Sequence, residues 1–231
     1  MKKIFSLILA LCLLVPLQGC TKRSDSDITT VFRALNRTLQ ADSLELKGNV
    51  EVSQPQKMSL DMSVYMNQKS TPEIAVLLNA EGTDIIAFYL KDHKTYLNAM
   101  GTKSQSSAAN IGMDGPKPFD IFNPFLDYSD DELIDFFTAS SKKGDTYTLT
   151  MDPSKLSTAL DRYGGIRISK GTLEATVKDD VITTLVMNLE GENQFTQKGM
   201  DTAMTITLHM DKYDENVQVP FPDDLNTYPK G

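Results

Sequence analysis

The sequence predicts an α+β fold, in which a curved antiparallel sheet of eight to nine strands is closed by an N-terminal helix and a central helical insert. Most of the chain from Leu44 onward alternates apolar and polar residues, which is the pattern of strands with one buried face. A single helical stripe precedes these strands, and capped helical segments interrupt them in the middle of the chain. So many one-faced strands need a second sheet, or strong curvature around helices, to bury their apolar side.

Composition narrows the classes of protein. The 231 residues include 23 Lys+Arg and 31 Asp+Glu, a net charge of -8, and 40% of them are hydrophobic. This length is enough for one domain with a real core, and the apolar fraction argues against intrinsic disorder. A nucleic-acid-binding protein would show a basic face instead of an acidic balance. Two His and two Cys leave little material for a metal site or a thiol enzyme, so we expect no metal and no cofactor.

The first twenty residues have the features of a lipoprotein export signal. Lys2 and Lys3 form a basic start, and residues 4–17 are almost uninterruptedly apolar. This run is too short for a membrane span, which needs about 20 apolar residues, but it suits a signal peptide. It ends in Leu17-Gln18-Gly19-Cys20, which resembles a bacterial lipobox. We therefore predict cleavage before Cys20 and a diacylglyceryl group on its thiol. The alternative is an ordinary secretory signal with an incidental cysteine.

Three segments follow from the lipobox interpretation. Residues 1–19 are the signal peptide, residues 20–27 are a lipidated polar tether, and residues 28–231 form a single domain. Cys12 is removed with the signal peptide, so the mature chain keeps only Cys20 and cannot form an intrachain disulfide. The expected location is the extracytoplasmic face of the cell membrane, where the membrane is the partner of lipidated Cys20.

The predicted domain begins with an amphipathic helix and continues as a strand meander. Ile28, Phe32, Leu35 and Leu39 lie at i, i+4, i+7 and i+11, which predicts one helix with one buried stripe. The sequence predicts tight turns at 91–94 and 178–180. The predicted strands are 44–52, 58–66, 73–79, 85–90, 95–100, 144–151, 173–177, 185–189 and 204–210.

The middle of the chain departs from the alternating pattern. Residues 101–127 are predicted as a long loop, which in a compact domain is typical of a lid or a binding loop. Its apolar end is either an accessible segment, serving as a mobile lid over a cavity mouth or as a patch for a partner, or a plug that completes the core. The lid candidates are Phe119, Ile121, Phe122 and Phe125.

Two short helices are predicted after this loop. Ser129 and Glu132 form a capping box that opens a helix running through Phe137. Asp152 and Pro153 supply an N-cap and a first helical residue for the next helix. The acidic residues around Ser129 do not match an EF-hand loop, and the helix dipole explains them better than calcium does.

The order of these elements resembles the LolA/LppX-like bacterial lipoproteins, and within that group the uncharacterised lipoproteins of Gram-positive bacteria. Two local features carry the resemblance besides the lipobox. They are the strand-turn-strand Tyr89-Leu90-Lys91-Asp92-His93-Lys94-Thr95-Tyr96-Leu97-Asn98 and the C-terminal Val219-Pro220-Phe221-Pro222-Asp223. The resemblance implies a half-barrel with an apolar concavity that holds lipid acyl chains. It implies no catalytic residues.

From these observations we expect a membrane-anchored protein that binds a hydrophobic ligand, of the lipid class, non-covalently in the half-barrel cavity. The apolar strand faces supply the ligand-cavity candidates, which are Met58, Leu60, Met62, Val64, Met66, Met187, Leu189, Met204, Ile206 and Leu208. Methionine suits a cavity for irregular hydrophobic ligands, but it also fills gaps in a curved core. The spacing of these methionines disfavours a copper(I) site.

An enzyme is not expected, because no catalytic motif or convergent polar cluster is visible in the sequence. The expected partners are the membrane and a lipid ligand, with no nucleic acid, and the expected state is a monomer. The alternative function is a cell-envelope interaction or sensory module with a filled core and no ligand.

Overall fold

The structure is a computed structural model that describes residues 23–54, 56–115, 125, 127–160, 166–193 and 200–230. The predicted signal peptide, Cys20 and the lid candidates Phe119, Ile121 and Phe122 lie outside these residues. Within the described part, no helix combines the length and the apolar character that a membrane crossing requires.

Helix α1 spans Asp25–Leu39 and begins three residues earlier than predicted from its apolar stripe. Ser24 is the N-cap, and its side chain accepts a hydrogen bond from the backbone N–H of Asp27. Acidic residues in the first turn and Arg37 in the last turn complement the helix dipole. The sequence Ser-Asp-Ser-Asp that was predicted as part of a tether therefore starts the helix.

Two further helices lie in the middle of the chain. Helix α2 spans Asp130–Asp135 and carries the predicted capping box between Ser129 and Glu132. It ends at Asp135, with Phe136 as its C-cap, instead of running through Phe137, because Phe137 is the first residue of a strand. Helix α3 spans Pro153–Leu160, and the Asp152 carboxylate accepts hydrogen bonds from the N–H groups of its first turn.

The described residues form one antiparallel sheet of 11 strands, so the predicted count of eight to nine was too low. The strands lie in the order β6-β5-β4-β3-β2-β1-β11-β10-β9-β8-β7. Their bounds are β1 Ser43–Gln54, β2 Met58–Asn67, β3 Glu73–Ala80, β4 Thr83–Lys91, β5 Lys94–Ala99, β6 Thr102–Ser107, β7 Phe137–Lys143, β8 Thr146–Met151, β9 Ile166–Lys178, β10 Val181–Asn193 and β11 Met200–Tyr213.

The two additional strands are the two outermost strands of the sheet. β6 lies where the sequence predicted the start of a loop, and β7 lies where it predicted the end of a helix. The tight turns between inner strands agree better with prediction. Asp92 and His93, and likewise Asp179 and Asp180, have positive φ angles, as two-residue hairpin loops require.

The pairing of β1 with β11 joins the two halves of the sheet. Gly48 lies in the middle of this pair, opposite Leu208. A Cβ atom at Gly48 would collide with the backbone carbonyl of Thr207 and would lie 3.0 Å from the Cα of Leu208. The two strands can therefore approach this closely only because residue 48 has no side chain.

The sheet has an inner face, on which α1 lies, and an outer face. On the inner face, Ile28, Val31 and Phe32 of α1 pack with residues of β7 to β10 such as Leu149 and Leu173. A second cluster on this face surrounds Leu44, Met66 and Ile74, and the 3₁₀ helix Ala108–Ile111 contributes to it. The inner face is therefore covered by helical segments, and these segments position the site described below.

The C-terminal segment covers part of the outer face. Val219, Phe221, Leu225 and Tyr228 pack against Tyr89 and other residues of β2 to β5. The end of the segment then reaches the outermost strand, where Lys230 forms a parallel bridge with Gln105 of β6. The backbone N–H of Gln105 also donates to the carbonyl of Pro229 at 2.8 Å. The free edge of β6 is thereby partly closed.

Candidate functional site

An apolar cavity of about 370 Å³ lies between the helices and the inner face of the sheet. Helix α1 contributes one wall, and β1, β2, β3 and β7 to β11 contribute the other. The lining residues are Phe32, Leu35, Thr38, Leu39, Leu46, Met62, Val64, Val76, Phe125, Phe136, Phe137, Met151, Leu156, Leu173, Ile182, Thr183, Leu185, Met187, Leu208 and Met210. The apolar stripe of the first helix and the apolar faces of the strands therefore surround one space.

The cavity offers almost no polar group to a ligand. Among the described residues that line it, none is charged, and only Thr38 and Thr183 are polar. The Thr38 hydroxyl donates to the Ala34 carbonyl and accepts from the Ile182 N–H, both at 2.8 Å. The Thr183 hydroxyl donates to the carbonyl of Thr176 at 3.2 Å. Because both hydroxyls are engaged by the protein backbone, the cavity favours an apolar occupant.

Aromatic rings pack together along one part of the cavity lining. The ring of Phe32 lies 5.2 Å from that of Phe125 in a T-shaped arrangement and 5.6 Å from that of Phe137. Phe125 in turn lies 6.0 Å from Phe136, and Phe136 lies 5.1 Å from Tyr128. These rings connect α1 to both ends of α2 through edge-to-face contacts, which are the preferred geometry of aromatic pairs.

The ten predicted cavity residues lie on the inner face, but the structure does not bring all of them to the cavity. Met62, Val64, Met187 and Leu208 line it. Met66 is fully buried in the neighbouring cluster, and Leu189 packs against the cluster under α1. The remaining residues lie further along the same strands, where Leu60, Met204 and Ile206 are half-buried and Met58 is 49% exposed.

Of the lid candidates, the described residues include Phe125 alone. Its ring is half-buried, lines the cavity and contacts Phe32 and Phe136. This position suits either of the two expectations from the sequence, since the ring both borders the cavity and completes the packing under α1.

The sequence prediction omitted the helical wall of the cavity. Phe32, Leu35 and Leu39 line it from α1, and Phe136 and Leu156 line it from the other two helical segments. The apolar stripe of α1 was visible in the sequence, but a stripe shows only that a helix face is buried. Whether that face meets a filled core or a cavity depends on the separation of helix and sheet.

A second concavity, the α2–α3 cleft, opens on the surface beside the cavity. Its volume is about 480 Å³, and it is lined by Tyr128, Glu132, Asp135, Phe136, Ser154, Lys155 and Thr158. Lys155 Nζ lies 2.8 Å from an Asp135 carboxylate oxygen, and this hydrogen bond holds the pKa of Asp135 below its usual value. Phe136 lines both the cleft and the cavity, so its side chain lies between them.

Charged groups cluster on the outer face instead. The Glu45 side chain is only 8% exposed, and its carboxylate forms ion pairs with Lys47 Nζ at 2.7 Å and with Lys212 Nζ at 2.8 Å. Hydrogen bonds from these two ammonium groups lower the pKa of Glu45. In the part of the chain that the structure describes, no group of three or more His, Cys, Asp and Glu residues could hold a metal ion.

Comparison with known proteins gave matches among solved structures only. No protein-family model matches the chain, and no curated protein matches it. The structure is similar to the lipoprotein LppX of Mycobacterium tuberculosis at 11% identity and a TM-score of 0.45, with 84% of this chain and 98% of that chain covered.

Two further solved structures are similar to this chain. LprF from Mycobacterium bovis has 12% identity and a TM-score of 0.44, with 87% of this chain and 99% of that chain covered. A LolA superfamily protein from Nitrosomonas europaea has 10% identity and a TM-score of 0.31, with coverage of 87% and 96%. The structural neighbours are thus LppX, LprF and LolA-superfamily proteins, which include the group that the sequence resembles.

Proposed function

We propose that this chain is a lipid-anchored, extracytoplasmic protein that holds a hydrophobic ligand, of the lipid class, non-covalently in the cavity under α1. The observation that carries the proposal is the lining of the cavity. Of the 20 described residues that line it, 18 are apolar, and the two threonine hydroxyls are already hydrogen-bonded. The volume falls within the range of roughly 300–1,000 Å³ that is typical of small-molecule sites.

The physical basis of binding is the removal of apolar surface from water. A water molecule is held well in a cavity only when it finds two to four polar partners, and the polar side chains among the described lining residues, Thr38 and Thr183, are both engaged by the backbone. An acyl chain in the same space would gain ~0.8 kcal/mol for each CH₂ it buries. No bond to the ligand forms or breaks, so uptake and release depend on access to the cavity.

Ligand binding is tested with paired tryptophan variants. The chain contains no Trp, so each introduced Trp is also a unique fluorophore. Met187→Trp places a large side chain in the cavity, whereas Val186→Trp places it on the opposite face of the same strand. We expect the unmodified chain and Val186→Trp to bind a fluorescent fatty acid and to carry lipid in native mass spectrometry. Met187→Trp should bind weakly or not at all.

Two results would count against ligand binding. One is protein that is consistently free of lipid and shows no response to added fatty acid. The other is equal binding by Met187→Trp and Val186→Trp. Either result would favour the alternative function, an interaction module in which the residues under α1 serve as core.

Anchoring is tested separately through the two cysteines. Cys20→Ser removes the thiol that the lipobox presents for acylation, whereas Cys12→Ser alters only the apolar run of the predicted signal peptide. We expect Cys20→Ser to abolish incorporation of labelled palmitate and to release the chain from the membrane fraction. Cys12→Ser should leave both unchanged. Palmitate incorporation that survives Cys20→Ser would refute the lipobox.

A further inference from the structure

The folded domain begins very close to the proposed lipid anchor. The backbone N–H of Ser24 donates to the Ser140 hydroxyl of β7 at 2.7 Å, and Arg23 lies 3.8 Å from the Asp135 carboxylate. Arg23 is three residues beyond Cys20, so the chain between them spans at most about 11 Å. A domain of this length has a radius of gyration of about 17 Å. The segment between Cys20 and Arg23 is therefore short in relation to the domain, so a lipid on Cys20 would keep one corner of the domain near the bilayer.

The α2–α3 cleft opens at this same corner. Asp135 lines the cleft, and it forms ion pairs both with Arg23, at the start of the described chain, and with Lys155 of α3. The contact of Ser24 with Ser140 fixes the start of α1 against β7, the outermost strand on this side of the sheet. The start of the described chain, the cleft and the edge of the sheet are thus neighbours.

Among the described residues, Phe136 is the one that lines both the cleft and the cavity. Phe136 is 7% exposed, lines both spaces and caps the C-terminal end of the six-residue helix α2. Its ring makes edge-to-face contacts with Phe125 and Tyr128. Rotation of this ring, or a small shift of the last turn of α2, would join the two spaces.

We propose that the α2–α3 cleft faces the bilayer to which the chain is anchored, and that a lipid acyl chain passes from the bilayer through this cleft into the cavity at Phe136. This inference rests on the proposed function, because it assumes lipidated Cys20 and a hydrophobic ligand. The partner of this surface is the lipid bilayer. A protein that docks on the cleft instead would hold it away from the lipid.

The orientation is tested with single cysteine labels on the full, lipidated chain in phosphatidylcholine vesicles. Acylation occupies the Cys20 thiol, so an introduced cysteine is the only one open to labelling in the mature chain. Thr158→Cys places an environment-sensitive fluorophore on the exposed rim of the cleft. Thr83→Cys, at the exposed first residue of β4, is the matched control. β4 is eight strands away from β7, roughly 38 Å along the sheet.

Quenching by a lipid that carries a quencher in its head group distinguishes the orientations. We expect strong quenching of the label at residue 158 and little at residue 83. Equal quenching at the two sites, or stronger quenching at residue 83, would overturn the proposal. This measurement needs no ligand, so a chain that fails to bind lipid in the tryptophan experiment can still give a clear result on orientation.

The route is tested by the rates of transfer of a fluorescent fatty acid between vesicles and protein. Phe136→Ala, and the more conservative Phe136→Leu, should raise the association rate, because a smaller side chain lies between the two spaces, and should raise the dissociation rate at least as much, because Phe136 also lines the cavity. Leu208→Ala, a cavity variant in the sheet, should change the dissociation rate alone. Phe136 variants that leave the association rate unchanged would overturn the route. Circular dichroism identifies a variant that has not folded, and Phe136→Leu then decides the outcome.

Discussion

Replacement of Gly48 by alanine should damage the pairing that joins the two halves of the sheet. The added Cβ would collide with the Thr207 carbonyl oxygen, and it would lie 2.7 Å from the carbonyl carbon and 3.0 Å from the Cα of Leu208. All three atoms belong to the backbone of β11, so no side-chain rotation relieves the collision. The strands β1 and β11 must move apart instead, and Leu208 lines the cavity at this point.

The size of the effect follows from these contacts. Insertion of a single extra carbon into a packed interior typically costs about 1–3 kcal/mol, and a collision with backbone belongs at the upper end. The lower entropy of the unfolded alanine chain returns only about 0.4–1 kcal/mol. We therefore expect Gly48→Ala to lower the free energy of unfolding by about 2 kcal/mol or more. For a domain of this length, that corresponds to a fall in Tm of roughly 4–8 °C or more.

The assay is urea and thermal unfolding followed by circular dichroism, with Gly115→Ala as the matched control. A Cβ atom at Gly115 meets no atom within 4 Å, so this variant should unfold like the parent chain or slightly later. If Gly48→Ala were as stable as Gly115→Ala, the close approach of β1 and β11 would be wrong. A loss of fatty-acid binding without a loss of stability would place the effect in the cavity instead.

Three further changes test other parts of the structure. Thr38→Val should lower the free energy of unfolding by about 1–3 kcal/mol in urea titrations, because it leaves the buried Ile182 N–H without its acceptor; stability within error of the parent chain would contradict this. The pKa of Glu45 is lower in the folded state than in the unfolded state. Its carboxylate therefore contributes fully to the free energy of unfolding above the unfolded-state pKa, and this contribution is lost as the pH falls through the folded-state pKa. Glu45→Gln should therefore flatten the loss of stability as the pH falls below the ordinary Glu pKa of 4.5, and an unchanged acid limb would count against it. Tyr228→Ala should cost about 3 kcal/mol, since it removes the T-shaped partner of Tyr96 from the outer face; a neutral result would show that the C-terminal segment does not stabilise the sheet.

The inner strands of the sheet were predictable because burial of one face leaves a clear mark on the sequence. In β2 the apolar residues alternate without exception from Met58 to Met66, and the strand spans Met58–Asn67. The sequence of β6, Thr-Lys-Ser-Gln-Ser-Ser, contains no apolar residue, so no apolar alternation marks it as a strand. It is the outermost strand and is partly covered by the C-terminal segment. Its strand character comes from backbone pairing with β5, which residue patterns do not encode.

β7 was missed for a different reason. Phe136 and Phe137 continue the apolar pattern that starts at Leu133 of α2, so the helical pattern extends past the actual helix end. The strand that follows has only Phe137 and Ser140 buried, a period of three that favours no strand. The pairing of β7 with β8 therefore overrides a local preference for helix.

The cavity itself was only partly predictable. Alternation identifies the strand residues that point to the inner face, and Met62, Val64, Met187 and Leu208 were selected in this way. It does not say how far along each strand the helices reach, so it cannot separate these residues from Met58, which is largely exposed. That distinction depends on where α1 crosses the sheet, which is a property of tertiary packing.

The pairing of β1 with β11 has a consequence for the export that we propose for this chain. Leu44 pairs with Tyr213, and Gln105 forms a bridge with Lys230, which lies even nearer the C-terminus. A chain that leaves the cell N-terminus first could make neither contact until almost all of it had crossed the membrane. Long-range pairing of this kind forms slowly, because the entropy of closing a large loop must be overcome first. The same slow pairing would delay folding before the proposed export, and threading through a narrow channel requires an unfolded chain.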